Sequence, residues 1–399
     1  MSFRNDWQHR VVQEPTFEQK ACVAYRCQEA TEAVLLAYAR RAKSLVNSEN
    51  LAVGGGVFLN ILSNTVLSQK APFSGYHVPS APHDAGIAVG CAFFGARKLG
   101  EHSQSVKSDR LGPSYSEADF DAAFSRYEGF VTRRRYSDAE VLDALCEDNI
   151  VARFNGRSEF GPRALGGRSL LGNPGTSALK DRMNAIKGRQ KWRPVAPIIA
   201  QERMHDFFDG PSDSLWMTKS QIIRPEHRSR LLALAHPDGS TRAQTLLEEQ
   251  DPELYGWLMA MEARTGYPIL INTSFNRRSE PIVERPEQAL DMFLCRPDID
   301  VLLVGPWWVE RLDPFEVLAD KSCRLGKNVF LTTMFGEQGP VFNVSNGGRT
   351  WKLSRALFLT LNQLGSEAMT LTAISSRCGD GEPPLPQLYE FLLHGIIEY

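Results

Sequence analysis

The residues with the most evident chemistry lie in one stretch. Between Arg153 and Arg193 the chain carries ten lysines and arginines (Arg153, Arg157, Arg163, Arg168, Lys180, Arg182, Lys187, Arg189, Lys191, Arg193) against only Glu159 and Asp181, although the whole protein has a formal net charge of -2. A solvated basic surface is diluted with Glu and Asp on polar helices. These cations instead sit among Gly, Pro, Phe and Trp, in Gly156-Arg157-Ser158-Glu159-Phe160-Gly161-Pro162-Arg163-Ala164-Leu165-Gly166-Gly167-Arg168-Ser169 and the run from Lys187 to Pro197. Tight, partly desolvated loops that fix guanidinium forks suit bidentate capture of phosphate or carboxylate, so the stretch points to a small, highly anionic ligand. Two later segments, Asp238-Gly239-Ser240-Thr241-Arg242-Ala243-Gln244 and Pro268 to Asn276, read as apolar strands ending in hydroxyl, amide and Arg side chains. That is how an α/β domain lines a binding edge.

A second constellation lies nearer the N-terminus. Leu51-Ala52-Val53 reads as a short strand running into Gly54-Gly55-Gly56, with a helical pattern resuming at Asn60. Strand, glycines and helix together let backbone amides approach a nucleotide or phosphate closely. Three glycines in a tight structural turn would look the same. Downstream, a strand at Tyr76 to Pro79 leads to Pro82-His83-Asp84-Ala85-Gly86 and a helix of small residues (Ala88, Gly90, Ala92, Gly95), which points the Asp84 carboxylate into a cleft or uses it as an N-cap.

The elements that must position these groups follow from pattern and composition. At 399 residues, 42% hydrophobic and 23% charged, the chain has the makeup of a two- or three-domain globular protein. Apolar positions at Phe17, Ala21, Ala24, Ala33, Ala37 and Leu45 predict a long first helix, after a loose arm over residues 1–16. The polar, Pro/Gly-punctuated stretch 100–120 marks a boundary, beyond which a helix over 137–147 and a strand over 150–154 lead into the basic core. Past Pro314 the composition changes again. A hairpin (341–344 and 350–353, turning at Asn346-Gly347-Gly348), helices over 355–364, 371–376 and 385–394, and a closing strand make a winged-helix-like plan. Seven scattered cysteines without a CxxC pair suggest neither a disulfide framework nor a zinc knuckle. No run reaches the ~20 apolar residues of a membrane span, and the polar start lacks a signal-peptide core, so the cytoplasm is the default location. The near-neutral charge gives no support to nucleic-acid or membrane adhesion.

The motifs at 156–169, 187–197, 238–244 and 270–276, in this order and spacing, resemble the C-terminal half of the carbamoyltransferases that decorate antibiotics and nodulation factors. LAVGGGVFLN (51–60) and PSAPHDAG (79–86) resemble the last part of that family's N-terminal half, and the resemblance covers roughly residues 20 to 312. It implies an α/β chain in three parts: a remnant of a Kae1-like, actin-like lobe (1–100), a YrdC-like domain for carbamoyl phosphate and ATP (101–313), and the winged-helix-like addition (325–399). It implies an ATP-dependent enzyme that makes carbamoyl-adenylate and passes the carbamoyl group to a hydroxyl or amine. Lys187, Arg189, Arg193 and Arg242 would form the catalytic cation cage. Arg163, Arg168, Asn272, Ser274 and Asn276 would bind cofactor in the second part, and Gly54, Gly55 and Asn60 in the first. ATP brings Mg2+, and Asp84 matches a family metal position usually taken as iron. The histidines that would complete that site have no HxxxH counterpart before Gly54, so the resemblance implies a transfer half reduced to its back lobe. Such a lobe would bare apolar surface around residues 50–95, so a homo-oligomer or a complex with a separate subunit is expected. Two other readings of the same residues are a repurposed acyl-adenylate or amide-forming enzyme, and a non-catalytic scaffold whose hairpin takes a peptide as an added strand.

Overall fold

The computed structural model describes residues 16–101, 108–313, 318–336, 339–377 and 385–399. Most of the expected N-terminal arm, part of the 100–120 boundary, and Cys378 therefore lie outside the described residues. The chain divides into two compact units, one of Met1–Ser103 with Ser214–Ser220, the other of Gln104–Asp213 with Gln221–Tyr399.

The first unit opens with helix α1 (Phe17–Leu45), started by a capping box in which Thr16 and Gln19 satisfy each other's backbone N–H groups. Strand β1 (Asn50–Ala52) pairs parallel with β2 (Gly75–His77), and α2 (Ile61–Lys70) crosses between them. Residues 214–220 join this unit: Asn64 Nδ2 donates to Thr218 O at 3.0 Å, and the Ser220 N–H donates to Thr65 Oγ1 at 2.7 Å. Helix α3 (Ile87–Lys98) is apolar in sequence yet has no buried residue, with Ile87 and Phe94 each 64% exposed. In α1 the buried position is Ala39, while Val23, Tyr25, Val34 and Tyr38 face solvent.

The second unit is built on an eight-stranded mixed sheet: β3 (Val131–Arg135), β4 (Val151–Phe154), β5 (Arg168–Gly172), β6 (Ala196–Ala200), β7 (Gln244–Leu246), β8 (Ile269–Ser274), β9 (Val301–Val304) and β10 (Trp307–Arg311). Their spatial order is β7-β6-β8-β5-β4-β9-β10-β3. Only β7/β6 and β4/β9 are parallel pairs. The inner strands β6 and β9 read as apolar runs because both faces are covered. Val151, Leu171, Ile198, Leu270, Val301 and Leu303 pack with Val141, Leu145, Trp257, Leu258 and Met261. The alternate residues Ala152, Leu170, Ile199, Ile271, Leu302 and Val304 share the other core with Met183, Leu290 and Phe293. The fold class is thus α/β, with a mixed rather than a parallel sheet.

The C-terminal segment belongs to that second core through Leu357, Leu361, Phe391 and Ile396. Its helices lie at Arg355–Leu364, Leu371–Arg377 and Leu385–Leu393. The hairpin of Gly339–Asn346 and Arg349–Leu353 turns at Gly347 and Gly348, both at positive φ (55° and 79°). A two-residue hairpin loop needs that geometry, and glycine adopts it without a Cβ clash. A third strand, Phe330–Gly336, pairs with Gly339–Asn346 and was missed, although its two Phe and two Thr suit a strand. No described helix is long and apolar enough to cross a membrane.

Candidate functional site

The loop between β4 and β5 is organised by one carboxylate. Glu159 Oε1 accepts backbone N–H groups from Leu165 (2.8 Å), Gly167 (2.7 Å) and Arg168 (3.2 Å). The chain can wrap it because Gly161 and Gly166 take φ of 144° and 109°. At Gly166 an added Cβ would take a φ that L residues rarely adopt and would have to displace the buried Leu254 Cδ2, 2.5 Å away. Arg168 is fully buried. Its guanidinium lies 3.6 Å from the Phe154 ring centroid and donates to Asn155 O (2.9 Å) and Gly156 O (3.0 Å). Arg168 therefore holds the loop as it lines the cavity beside it.

Several other cations of the basic stretch find partners from distant sequence. Arg153, wholly buried, bridges Asp251 (2.6 Å) and Glu253 (2.6 Å), and Arg110 joins at Asp251. Burial would raise the Asp251 carboxyl, yet Arg153 and Arg110 hold it well below the usual carboxylate range. Arg182 pairs with Asp300 at 2.7 Å, and Arg157 donates to the Leu111 and Gly112 carbonyls.

Four more cations of the stretch, with Arg242 from outside it, form a group for which no counterion is found among the described residues. Burial, then Arg189, pushes the Lys187 amine down to about 7. Burial, then Arg163 and Arg189, pushes Arg242 down to about 9, and burial, then Arg193, lowers Arg189. Burial alone lowers Arg163. No carboxylate figures among these influences, and Arg189 Nη2 and Arg242 Nε are buried without a hydrogen-bond partner. Arg163, Lys187, Arg189, Arg193 and Arg242 thus act on one another as one positive group. Arg193 is the exposed member, beside the Trp192 ring.

The polar residues of β8 and the turn after it hold the amine. Lys187 Nζ donates to Ser274 O (2.7 Å), Ser274 Oγ (2.9 Å), Asn276 O (3.0 Å) and Asn276 Oδ1. Asn272 is buried on the same strand, where its Nδ2 donates to Gln244 Oε1 (2.6 Å) and Ala164 O (3.1 Å), and its Oδ1 is unpartnered. A polar cavity of about 460 Å³ adjoins, lined by Ser158, Glu159, Arg168, Ser274, Asn276 and Glu284 among others. Ser274 and Asn276 stand at its junction with the cations. In the Asp238–Gln244 segment the expected order is reversed: the polar cluster precedes its strand, Arg242 sitting in the short link between the two-residue strand Ser240–Thr241 and β7.

In the first unit the expected residues are placed differently. Gly54, Gly55 and Gly56 have open space where a Cβ would be, and Asn60 caps α2, its Oδ1 accepting from Ser63 N at 3.1 Å. Asp84 is exposed and opens the short helical turn 84–86, whose cap is His83: its Nδ1 accepts from Ala85 N at 3.2 Å. Among the described residues no three His, Cys, Asp or Glu gather to hold a metal.

Sequence reasoning missed Glu159 as the loop's anchor and Gln244 as the partner of Asn272. A lone acid inside a basic, glycine-rich loop is the signal that could have found Glu159. Ser158 and Glu284, bonded at 2.9 Å, were also missed, since 126 positions separate them.

Known proteins agree with this division. The carbamoyltransferase N-terminus matches residues 6–93 and the carbamoyltransferase C-terminus residues 142–311, together more than half of the chain. Nodulation protein NolO of Bradyrhizobium diazoefficiens is 33% identical over 306 residues, covering 74% of this chain and 56% of that protein. Nodulation protein NolNO of Sinorhizobium fredii is 33% identical over 309 residues, covering 74% and 45%. A crystal structure of full-length HypF in a phosphate- and nucleotide-bound form aligns at TM-score 0.30 and 14% identity over 57% of this chain and 31% of that one, too remote to carry an argument. This chain spans about half the length of the two nodulation proteins. Its motifs, and the matches at both ends of the family's sequence, show that it belongs to the carbamoyltransferase family.

Proposed function

We propose that the second unit makes carbamoyl-adenylate from carbamoyl phosphate and ATP, and that the carbamoyl group then passes to a hydroxyl or amine acceptor. The observation that carries this reading is the cluster Arg163–Lys187–Arg189–Arg193–Arg242. Five cations kept together without a carboxylate are unfavourable unless an anion enters, and the reaction brings two. Water cleaves carbamoyl phosphate to carbamate and phosphate. A carbamate oxygen then attacks the α-phosphorus, and the bond to the β-phosphate oxygen breaks as pyrophosphate leaves. Bringing carbamate beside a triphosphate needs fixed positive charge on both, which preorganised guanidinium forks supply at no cost in reorganisation. Mg2+ would arrive with the triphosphate, as it is held by phosphates as much as by protein. The residues do not fit a resident iron, since exposed Asp84 and a His83 committed to its cap are too few ligands.

In this reading residues 1–100 are a Kae1-like back lobe, 101–313 a YrdC-like domain and 325–399 a winged-helix-like addition. The bare apolar face of α1 and α3 is where a further lobe docks, from a separate subunit or a second copy. The test is to supply ATP and carbamoyl phosphate, and follow phosphate, pyrophosphate and the mass of carbamoyl-adenylate, with Arg242→Ala as control. All three should appear and the variant be silent. ATP binding with none of the three would overturn the reading.

A further inference from the structure

Behind the Asn276–Glu284 turn lies a second cavity, of about 160 Å³, that the adenylation site does not use. Its wall is shared between the family's segment and the C-terminal addition. Arg277, Glu280, Gln288, Asp291 and Met292 come from the first, and Arg349 from the hairpin. Glu280, Pro281 and Val283 line both this cavity and the larger one, so one turn of chain separates them.

Arg277, Asp291 and Arg349 are each held by a partner, while the Glu280 carboxylate is exposed, and the groups differ in sign. Arg277 is committed to Glu390 at 2.8 Å, a carboxylate that also accepts from Trp351 Nε1 at 2.9 Å. Asp291 Oδ1 accepts the Tyr127 hydroxyl at 2.7 Å. Arg349 touches His394 Nε2 at 2.8 Å, and burial, then Arg349 and Arg277, pushes that imidazole down to about 4. His394 is therefore a neutral acceptor that orients Arg349 without neutralising it, and among the described residues no carboxylate lies in ion-pairing reach of Arg349. The cavity is accordingly lined both by a guanidinium with donors to spare, Arg349, and by two carboxylates, Asp291 and Glu280, the first of which feels the charge of Arg277 and Arg349. Its volume is close to that of a cavity known to hold benzene, about 150 Å³, so it suits a ligand of roughly five to eight heavy atoms.

We propose that this cavity binds a small zwitterion of the amino-acid class, its carboxylate on Arg349 and its ammonium between Asp291 and Glu280. Such a ligand is either the carbamoyl acceptor or an effector of the neighbouring site. Both roles are physically connected to catalysis as proposed above, on which the roles, but not the binding, rest. Asn276, which holds the Lys187 amine, is next to Arg277 in sequence and donates to Glu280 O at 2.6 Å, so a ligand that orders this turn also orders Lys187. As acceptor, the amine deprotonated by Glu280 would attack the carbamoyl carbon. The new C–N bond forms as the C–O bond to AMP breaks, AMP taking the electron pair.

Binding is measured first by calorimetry on the full chain, without ATP or carbamoyl phosphate, so that its result is independent of adenylation. The probes are glycine, L-alanine and L-serine, with glycinamide and glycolate as the analogues lacking one charge each. At least one amino acid should bind, the matched analogues at least about tenfold more weakly. Arg349→Ala, at an exposed turn, and Asp291→Asn, nearly isosteric, should each weaken it by a similar factor, whereas Arg242→Ala should not. No binding by any amino acid, equal binding of the analogues, or binding unchanged in both cavity variants overturns the proposal. Addition of ATP and carbamoyl phosphate then separates the sources. A carbamoylated amino acid identifies an acceptor, and a changed rate of pyrophosphate release without that product identifies an effector.

Discussion

Replacing Arg242 with methionine should make the free protein more stable and the liganded protein less so. Holding a guanidinium down to about 9, some three powers of ten below its ordinary value, costs on the order of 4–5 kcal/mol at ~1.4 kcal/mol per power of ten. The causes are burial first and then repulsion from Arg163 and Arg189, and the penalty is fully present at pH 7, where the group stays protonated. Methionine keeps most of the stem's volume and removes the charge. Allowing ~2 kcal/mol for lost stem contacts leaves a net gain of roughly 2–3 kcal/mol, or a rise in Tm of several degrees for a chain of this size. Saturating ATP and carbamoyl phosphate should reverse the order. Each ligand at a hundred times its Kd stabilises the native state by ~2.7 kcal/mol, so the two together add about 5 kcal/mol to the parent, more than the variant's advantage, and the variant should gain little of that. Thermal and urea unfolding, with and without the two substrates, measures both terms. A variant that loses more than ~1 kcal/mol in the free state, or that gains as much from substrates as the parent, would refute the argument, because Arg242 would then be a structural cation.

Lys187 has a folded pKa near 7 against 10.5 in its ordinary state, so the unfolded chain binds more protons between those values and stability should rise with pH from 7 upward, levelling near 10.5. An anion beside it should restore the proton, so ATP binding at pH 8 should take up protons, seen as a buffer-dependent calorimetric enthalpy that Lys187→Met abolishes. Asp251→Ala leaves Arg110 without its carboxylate and the buried Arg153 with Glu253 alone, and should cost about 3 kcal/mol in urea unfolding, with no special effect on substrate-induced stabilisation. Phe94→Glu, on the bare face of α3, should leave unfolding within about 0.5 kcal/mol and lower the mass measured by light scattering, if that face buries itself against another copy or lobe.

The elements that sequence reasoning found were those with strong local signals. The first helix has its period and the C-terminal hairpin its two glycines, and strand β8 is an apolar run ending in Asn272-Thr273-Ser274. Strands β5 and β6 were not foreseen. Leu170-Leu171 is too short to show a period, and Ala196-Pro197 carries a proline that argues against a central strand. In the fold β6 stays inside the sheet, with Pro197 opposite Ile271. The C-terminal addition looks separable in sequence because its composition changes near Pro314. In the fold Phe391 and Ile396 share a core with the sheet, and Glu390 clamps Arg277.

The basic stretch shows most sharply what a charge count can and cannot say. An excess of eight positive charges in about forty residues is a correct local sum, but charge is neutralised in space and not along the chain. Asp251, Glu253 and Asp300, about one hundred to one hundred and twenty positions away from the cations they meet, pair with Arg153 and Arg182, and loop carbonyls accept from Arg157 and Arg168. The cations that remain are therefore more telling than the raw excess. Arg163, Lys187 and Arg189 are joined by Arg242, which the local count does not include, and no carboxylate acts on any of the four. A fold that brings Asp251 and Asp300 to its structural cations, and among the described residues brings no carboxylate to these, keeps the positive charge for something that arrives from outside.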